Sequence, residues 1–80
     1  MYKYLVIIEQ AEGNYSAYAP DVPGCASVGD TIEETLENFR EALKLHLKGT
    51  FEDGDPAPKP YSVAAEFVEV DVPAPASPRT

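Results

Sequence analysis

The sequence predicts a single α+β domain of order β-β-β-α-β, a four-stranded mixed sheet with one helix on one face. Three observations carry that expectation. An aromatic and β-branched stretch at residues 2–9 is followed by turn chemistry and a return stretch. Ile32, Leu36, Phe39, Leu43 and Leu47 then recur at helical spacing. A valine-rich stretch, residues 62–72, follows a proline-rich connection.

The first stretch, Tyr2-Lys3-Tyr4-Leu5-Val6-Ile7-Ile8-Glu9, is apolar on both faces near its middle and reads as a central strand. Glu12-Gly13-Asn14 tolerates positive φ and returns the chain as a second, antiparallel strand from Tyr15 to Ala19. Pro20 lacks a backbone donor and Pro23-Gly24 suits the two central positions of a type II turn. The chain therefore leaves the ladder before Ala26-Ser27-Val28 adds a short third strand. Gly29-Asp30 ends that strand. Thr31 is placed to cap a helix, its hydroxyl accepting from the Glu34 amide while Glu34 reaches back in a capping box. Lys44 and Lys48 complement the negative helix end and Gly49 is the expected residue just past it, so the helix should run about 31–48. Phe51 to Tyr61, with Gly54, Pro56, Pro58 and Pro60, is a stiff crossover, and Ser62 to Val72 becomes the final strand by a right-handed connection. Residues 1–72 then form the domain, and the proline-rich tail 73–80 is expected to be disordered.

A chain of 80 residues buries only about 60% of its unfolded surface, so an isolated copy has a thin core. One helix covers one sheet face, yet the first strand offers Tyr4, Val6 and Ile8 on one side and Leu5 and Ile7 on the other. The second apolar face calls for another chain, either a copy of itself or a different partner. The longest strongly apolar run, Leu5-Val6-Ile7-Ile8, is far short of a membrane span or a signal-peptide core, and a cytoplasmic protein is expected.

Fourteen acidic against six basic residues give a net charge of −8, which favours a basic partner and repels phosphate backbones. Lys3, Arg40, Lys44, Lys48, Lys59 and Arg79 form no basic stripe, so direct nucleic-acid binding is not expected. Cys25 is alone, which excludes an internal disulfide. With His46 as the single histidine, a zinc site or a histidine-based triad has no ligand set. Cys25 reads as a small buried hydrophobe and His46 as a helix-end histidine near the terminal carbonyls.

The pattern Tyr15-x-Ala17-x-x-Pro20-Asp21-x-Pro23-Gly24-Cys25-x-x-x-Gly29-Asp30-Thr31-x-x-Glu34 resembles the HicB-like antitoxin group. These are small proteins that neutralise HicA-type messenger-RNA-cleaving toxins, and the resemblance covers roughly residues 2–72. It implies a partial RNase H fold, a HicA-like basic toxin as partner, and a non-catalytic masking role. A nuclease of that fold needs carboxylates from the first strand, the helix and the last strand converging on metal ions. The middle of the first strand is Leu5-Val6-Ile7, and Glu9 and Asp71 stand at strand ends, so neither enzyme activity nor a cofactor is expected. Many HicB-like antitoxins carry a carboxy-terminal DNA-binding domain; here the resemblance stops near residue 72, the expectation being a short form without it.

The expected partner-binding residues are Asp21, Pro23 and Gly24 of the turn with Asp30, Glu33, Glu37 and Glu41 at and along the helix. Gly29, Thr31, Glu34 and Gly49 have structural roles. Read from the residues alone, Asp21 caps local amides as an Asx-turn. Self-association as a homodimer or dimer of dimers accompanies this reading. The rival is a stand-alone oligomeric domain that binds a small ligand or another protein without any toxin.

Overall fold

The computed structural model describes residues 1–75. Three strands, β1 (Ile7–Ala11), β2 (Asn14–Tyr18) and β3 (Ala26–Gly29), precede one helix, α1 (Ile32–Glu52). The sheet is antiparallel in the order β1-β2-β3. Glu12-Gly13 makes the hairpin turn, with Gly13 at φ 80°, the value that the second central position of a type II turn requires. Ile8 pairs with Ala17, and Ala17 with Ser27, on the face that meets the helix.

The core lies between that face and α1. Ala17, Ala19, Val22, Cys25 and Phe39 are buried together, and Tyr4, Val6, Ile8, Ala42 and Leu43 pack around them. Burial of Phe39, only 2% exposed, contributes about 3 kcal/mol. The helix face differs from the expected stripe. Thr35, Phe39 and Leu47 are its buried residues, while Ile32 and Leu36 are 45% and 38% exposed. Gly29 explains the shift: a Cβ there would lie 2.6 Å from Thr35 Oγ1, so strand and helix touch where only glycine and a small side chain fit.

The helix does not stop at residue 48. It continues through Gly49 to Glu52 and ends in a Schellman motif, in which the Asp55 amide donates to Thr50 O and the Gly54 amide to Phe51 O, each at 3.0 Å. Gly54, at φ 83°, is the residue that ends the helix, not Gly49. The left-handed conformation decides the stop, and Pro56 follows it. The last turn consequently holds no basic residue, and His46 lies in the body of the helix rather than at its end.

A larger difference concerns the predicted final strand. Residues 62–72 pair with no strand, so the sheet is three-stranded and antiparallel rather than four-stranded and mixed, and β1 is an edge strand rather than a central one. The expected start of the first strand at Tyr2 is also lost. Val6 would face Ala19, but Pro20 and the turn after it carry β2 away, leaving Tyr2 to Val6 without a ladder on either side. The Tyr4 hydroxyl donates to Pro58 O at 2.5 Å and Asp21 holds Ser62, so the returning chain is fastened and then leaves the domain. The radius of gyration is 17.2 Å, against about 12 Å for a compact chain of this length. The expected disordered tail, residues 73–80, lies for the most part outside the described residues.

Candidate functional site

The turn between β2 and β3 is anchored before it is displayed. The Val22 amide donates to Ala19 O at 3.0 Å, closing a β-turn with Pro20 at its first central position. Val22 and Cys25 then plug into the core on either side of Pro23-Gly24. Burial pushes the Cys25 thiol above its ordinary pKa, which keeps it protonated and poorly nucleophilic. Gly24 takes φ 85°, open to glycine alone at low cost, and a Cβ on it would meet His46 Cε1 at 3.9 Å. Pro20, Pro23 and Gly24 remain exposed as a rigid platform.

Asp21 is not an Asx-turn residue here. Its carboxylate accepts from the Ser62 amide at 2.8 Å and from Ser62 Oγ at 3.2 Å, tying the turn to the chain beyond the helix. Beside it, burial raises the Tyr4 phenol above its ordinary pKa, with Tyr2 and Asp21 adding in the same direction.

The helix start is locked by side chains. The Glu34 amide donates to Thr31 Oγ1 at 3.0 Å, and Glu34 Oε1 accepts from the Asp30 amide at 2.9 Å. The reach back thus goes to Asp30 rather than to the cap residue itself. Thr35 Oγ1 donates to Thr31 O, Ser27 Oγ to Thr35 O, and Asn38 Nδ2 to Val28 O, stitching β3 to α1. Ser27 and Asn38 were not among the expected residues; nothing in their local sequence marks a bond to another element.

Glu33, Glu37 and Glu41 are exposed on the outer helix face, as expected. They are interleaved with Arg40, Lys44 and Lys48, and Glu37–Arg40 and Glu41–Lys44 approach to 3.7 Å. With these side chains about two-thirds exposed, such pairs contribute only ~0.5 kcal/mol each. Gly24 rests against His46 on the inner side of α1, whereas the three glutamates point outward. The turn, beside His46, and the acidic face are therefore separate surfaces.

The open sheet face is a third surface. The register aligns Ile7, Tyr18 and Ala26 across it and places Val28 opposite Ser16. Tyr18 is 39% exposed and Val28 58%. Leu5 and Ile7 were anticipated there from the first strand, while Tyr18 and Val28 could have been found from the alternation through Ala17 and Ser27. Among the described residues no cluster of three metal-ligating side chains occurs, and no helix is long and apolar enough to cross a membrane.

The profile of the HicB_like antitoxins of bacterial toxin-antitoxin systems matches residues 4–72. A 14.9 kDa protein of Haemophilus phage HP1 is 43% identical over 56 residues, 70% of this chain and 42% of that protein. Antitoxin HicB 1 of Photorhabdus laumondii is 38% identical over 69 residues, 85% of this chain and 44% of the antitoxin. A Synechocystis protein of the UPF0150 group is 38% identical over 60 residues, 74% and 76% of the respective chains. The chain thus spans less than half the length of the phage protein and of the Photorhabdus antitoxin.

Among solved structures, the N-terminal domain of Burkholderia pseudomallei antitoxin HicB superposes with a TM-score of 0.65 at 30% identity, covering 72% of this chain and 69% of that one. A chain of the HicA3 and HicB3 toxin-antitoxin complex gives 0.65 at 28% identity, covering 75% and 70%. With the profile reaching from Tyr4 to Val72 and the helix-on-sheet architecture shared, the chain belongs to the HicB_like antitoxin family of bacterial toxin-antitoxin systems.

Proposed function

We propose that this chain is a non-enzymatic, cytoplasmic antitoxin that binds a small basic ribonuclease of the HicA type, covers the surface that would otherwise hold RNA phosphates, and self-associates. The observation that carries the reading is the family match across residues 4–72, joined to the likeness with a chain of a HicA3–HicB3 complex. The charge of −8 steers a basic partner toward the molecule. Asp30, Glu33, Glu37 and Glu41 supply local negative charge, and the Pro23-Gly24 platform, held by Asp21, supplies a rigid contact. Leu5-Val6-Ile7 at the centre of the first chain segment gives no carboxylate around which a nuclease could be built.

The test uses a small basic ribonuclease of the HicA type. Glu33→Lys, Glu37→Lys and Glu41→Lys together should slow association at least tenfold at low salt and much less at high salt, with the fold unchanged by circular dichroism. Equal association rates across ionic strengths would end the electrostatic part of the proposal and move the interface to the open sheet face. The rival, a stand-alone oligomeric binding domain, draws on the exposure of Tyr18 and Val28 on that face. It requires that no basic ribonuclease binds at all.

A further inference from the structure

The self-association half of that reading leaves open which surfaces meet, and two unpaired features of the fold answer each other. The first is the arm after Ser62. Val63, Phe67, Val68, Val70 and Val72 are 91%, 103%, 80%, 77% and 71% exposed. Val68-Glu69-Val70-Asp71-Val72 alternates with the period of a half-buried strand. So much β-branched and aromatic surface on one short segment marks a contact surface, not a solvated tail. The family profile, moreover, extends through it to residue 72, which makes it part of the domain.

The second feature is the free edge of β1. Its ladder partner is β2 alone, and Tyr2 to Val6 continue the same edge without ladder pairing. Unpaired edge amides and carbonyls of this kind template an added strand. The opposite edge, β3, spans only Ala26–Gly29, and its Val28 carbonyl already accepts from Asn38. β1 is therefore the better acceptor.

Within its own chain only the first residues of the arm lie near that edge, Ser62 and Val63 lining an open pocket with Lys3 and Leu5. Tyr4 fastens Pro58 and Asp21 fastens Ser62; from Val63 on every described residue is exposed, and the molecule is drawn out to 56 Å along its longest axis. We propose that residues 62–72 of one chain add as a strand to the outer edge of β1, residues 2–11, in a second copy, and that the two copies exchange these arms reciprocally. The contact is isologous, so it closes on itself in a pair and leaves no unmatched arm to recruit a third copy. The row Val68, Val70 and Val72 extends an apolar sheet face, while Glu69 and Asp71 stay toward water.

Two measurements on the full chain test the exchange, and neither uses a toxin. In sedimentation at micromolar concentration the parent runs as a dimer or dimer of dimers, and the variant Val68→Glu, Val70→Glu, Val72→Glu falls to the mass of one chain with unchanged helical circular dichroism. A monomeric parent overturns self-association and the exchange together; a triple variant that keeps the parent's mass leaves self-association standing and overturns the exchange. In the second measurement, an isotope-labelled parent is mixed with an unlabelled chain carrying Cys25→Ala and a spin label at Asp71→Cys. Broadening of the labelled chain's amides at residues 2–11 supports the exchange. Broadening confined to its residues 62–72, or no broadening, overturns it, and this readout stands even if the triple variant does not fold.

Discussion

Thr31 shows how much one side chain can decide when its partners are close in sequence. Its Oγ1 takes the Glu34 amide at 3.0 Å in an exposed setting, so Thr31→Ala should cost about 1 kcal/mol. The melting temperature should fall by roughly 4–8 °C in thermal unfolding. The capping pair was legible in the sequence because all its members lie within five residues. The Asp21 carboxylate was not, because Ser62 stands 41 positions away and only the folded chain brings it near. Tyr4 is the residue with a consequence at high pH. Its folded-state pKa is raised above the ordinary value of 10.0, chiefly by burial. The folded state therefore holds the phenolic proton more tightly than the unfolded one, and its contribution is complete below pH 10 and lost as pH rises through the folded pKa. Urea midpoints of the parent should fall more steeply between pH 9 and about pH 11 than those of Tyr4→Phe, whose lower starting stability reflects the missing bond to Pro58.

At the level of elements, beginnings were easier to read than ends. The helix start is written in local chemistry, whereas two glycines competed for its end. Gly49 lies inside α1 with open space around its missing Cβ, and Gly54 takes the left-handed conformation. Gly49→Ala should therefore stabilise the protein by about 0.5–1 kcal/mol, by relieving backbone entropy in a helix interior. Gly54→Ala should destabilise it by roughly 1 kcal/mol, because alanine resists positive φ. Chemical denaturation of the two variants checks both signs, and a helix ending at residue 48 would reverse them. The strands teach the same lesson differently. Composition identified residues 2–9 and 62–72 as strand formers, but a strand exists only through its neighbour. Pro20 takes β2 away from the first, and the second has no ladder partner among the described residues.

For the molecule as a whole, the sequence announced a second apolar sheet face, and Tyr18 and Val28 stand exposed on it. The placement of the candidate binding residues was beyond it. Net charge gives no geometry, so the interleaving of Glu37 with Arg40 and of Glu41 with Lys44 could be read from spacing only as possible pairs. That the Pro23-Gly24 turn meets the inner rather than the outer side of α1 depends on three elements packing together. Gly29 governs that arrangement. Because its backbone touches Thr35 with no Cβ between them, the first turn of α1 is pressed against the end of β3, while farther along Phe39 holds helix and sheet apart. The helix is in effect a beam pinned at one end. A loss of volume at Phe39 should therefore swing its far end about the Gly29 contact while Asp30, Thr31 and Glu34 keep their position relative to the sheet, so the geometry of the helix start is insulated from repacking of the core beyond it.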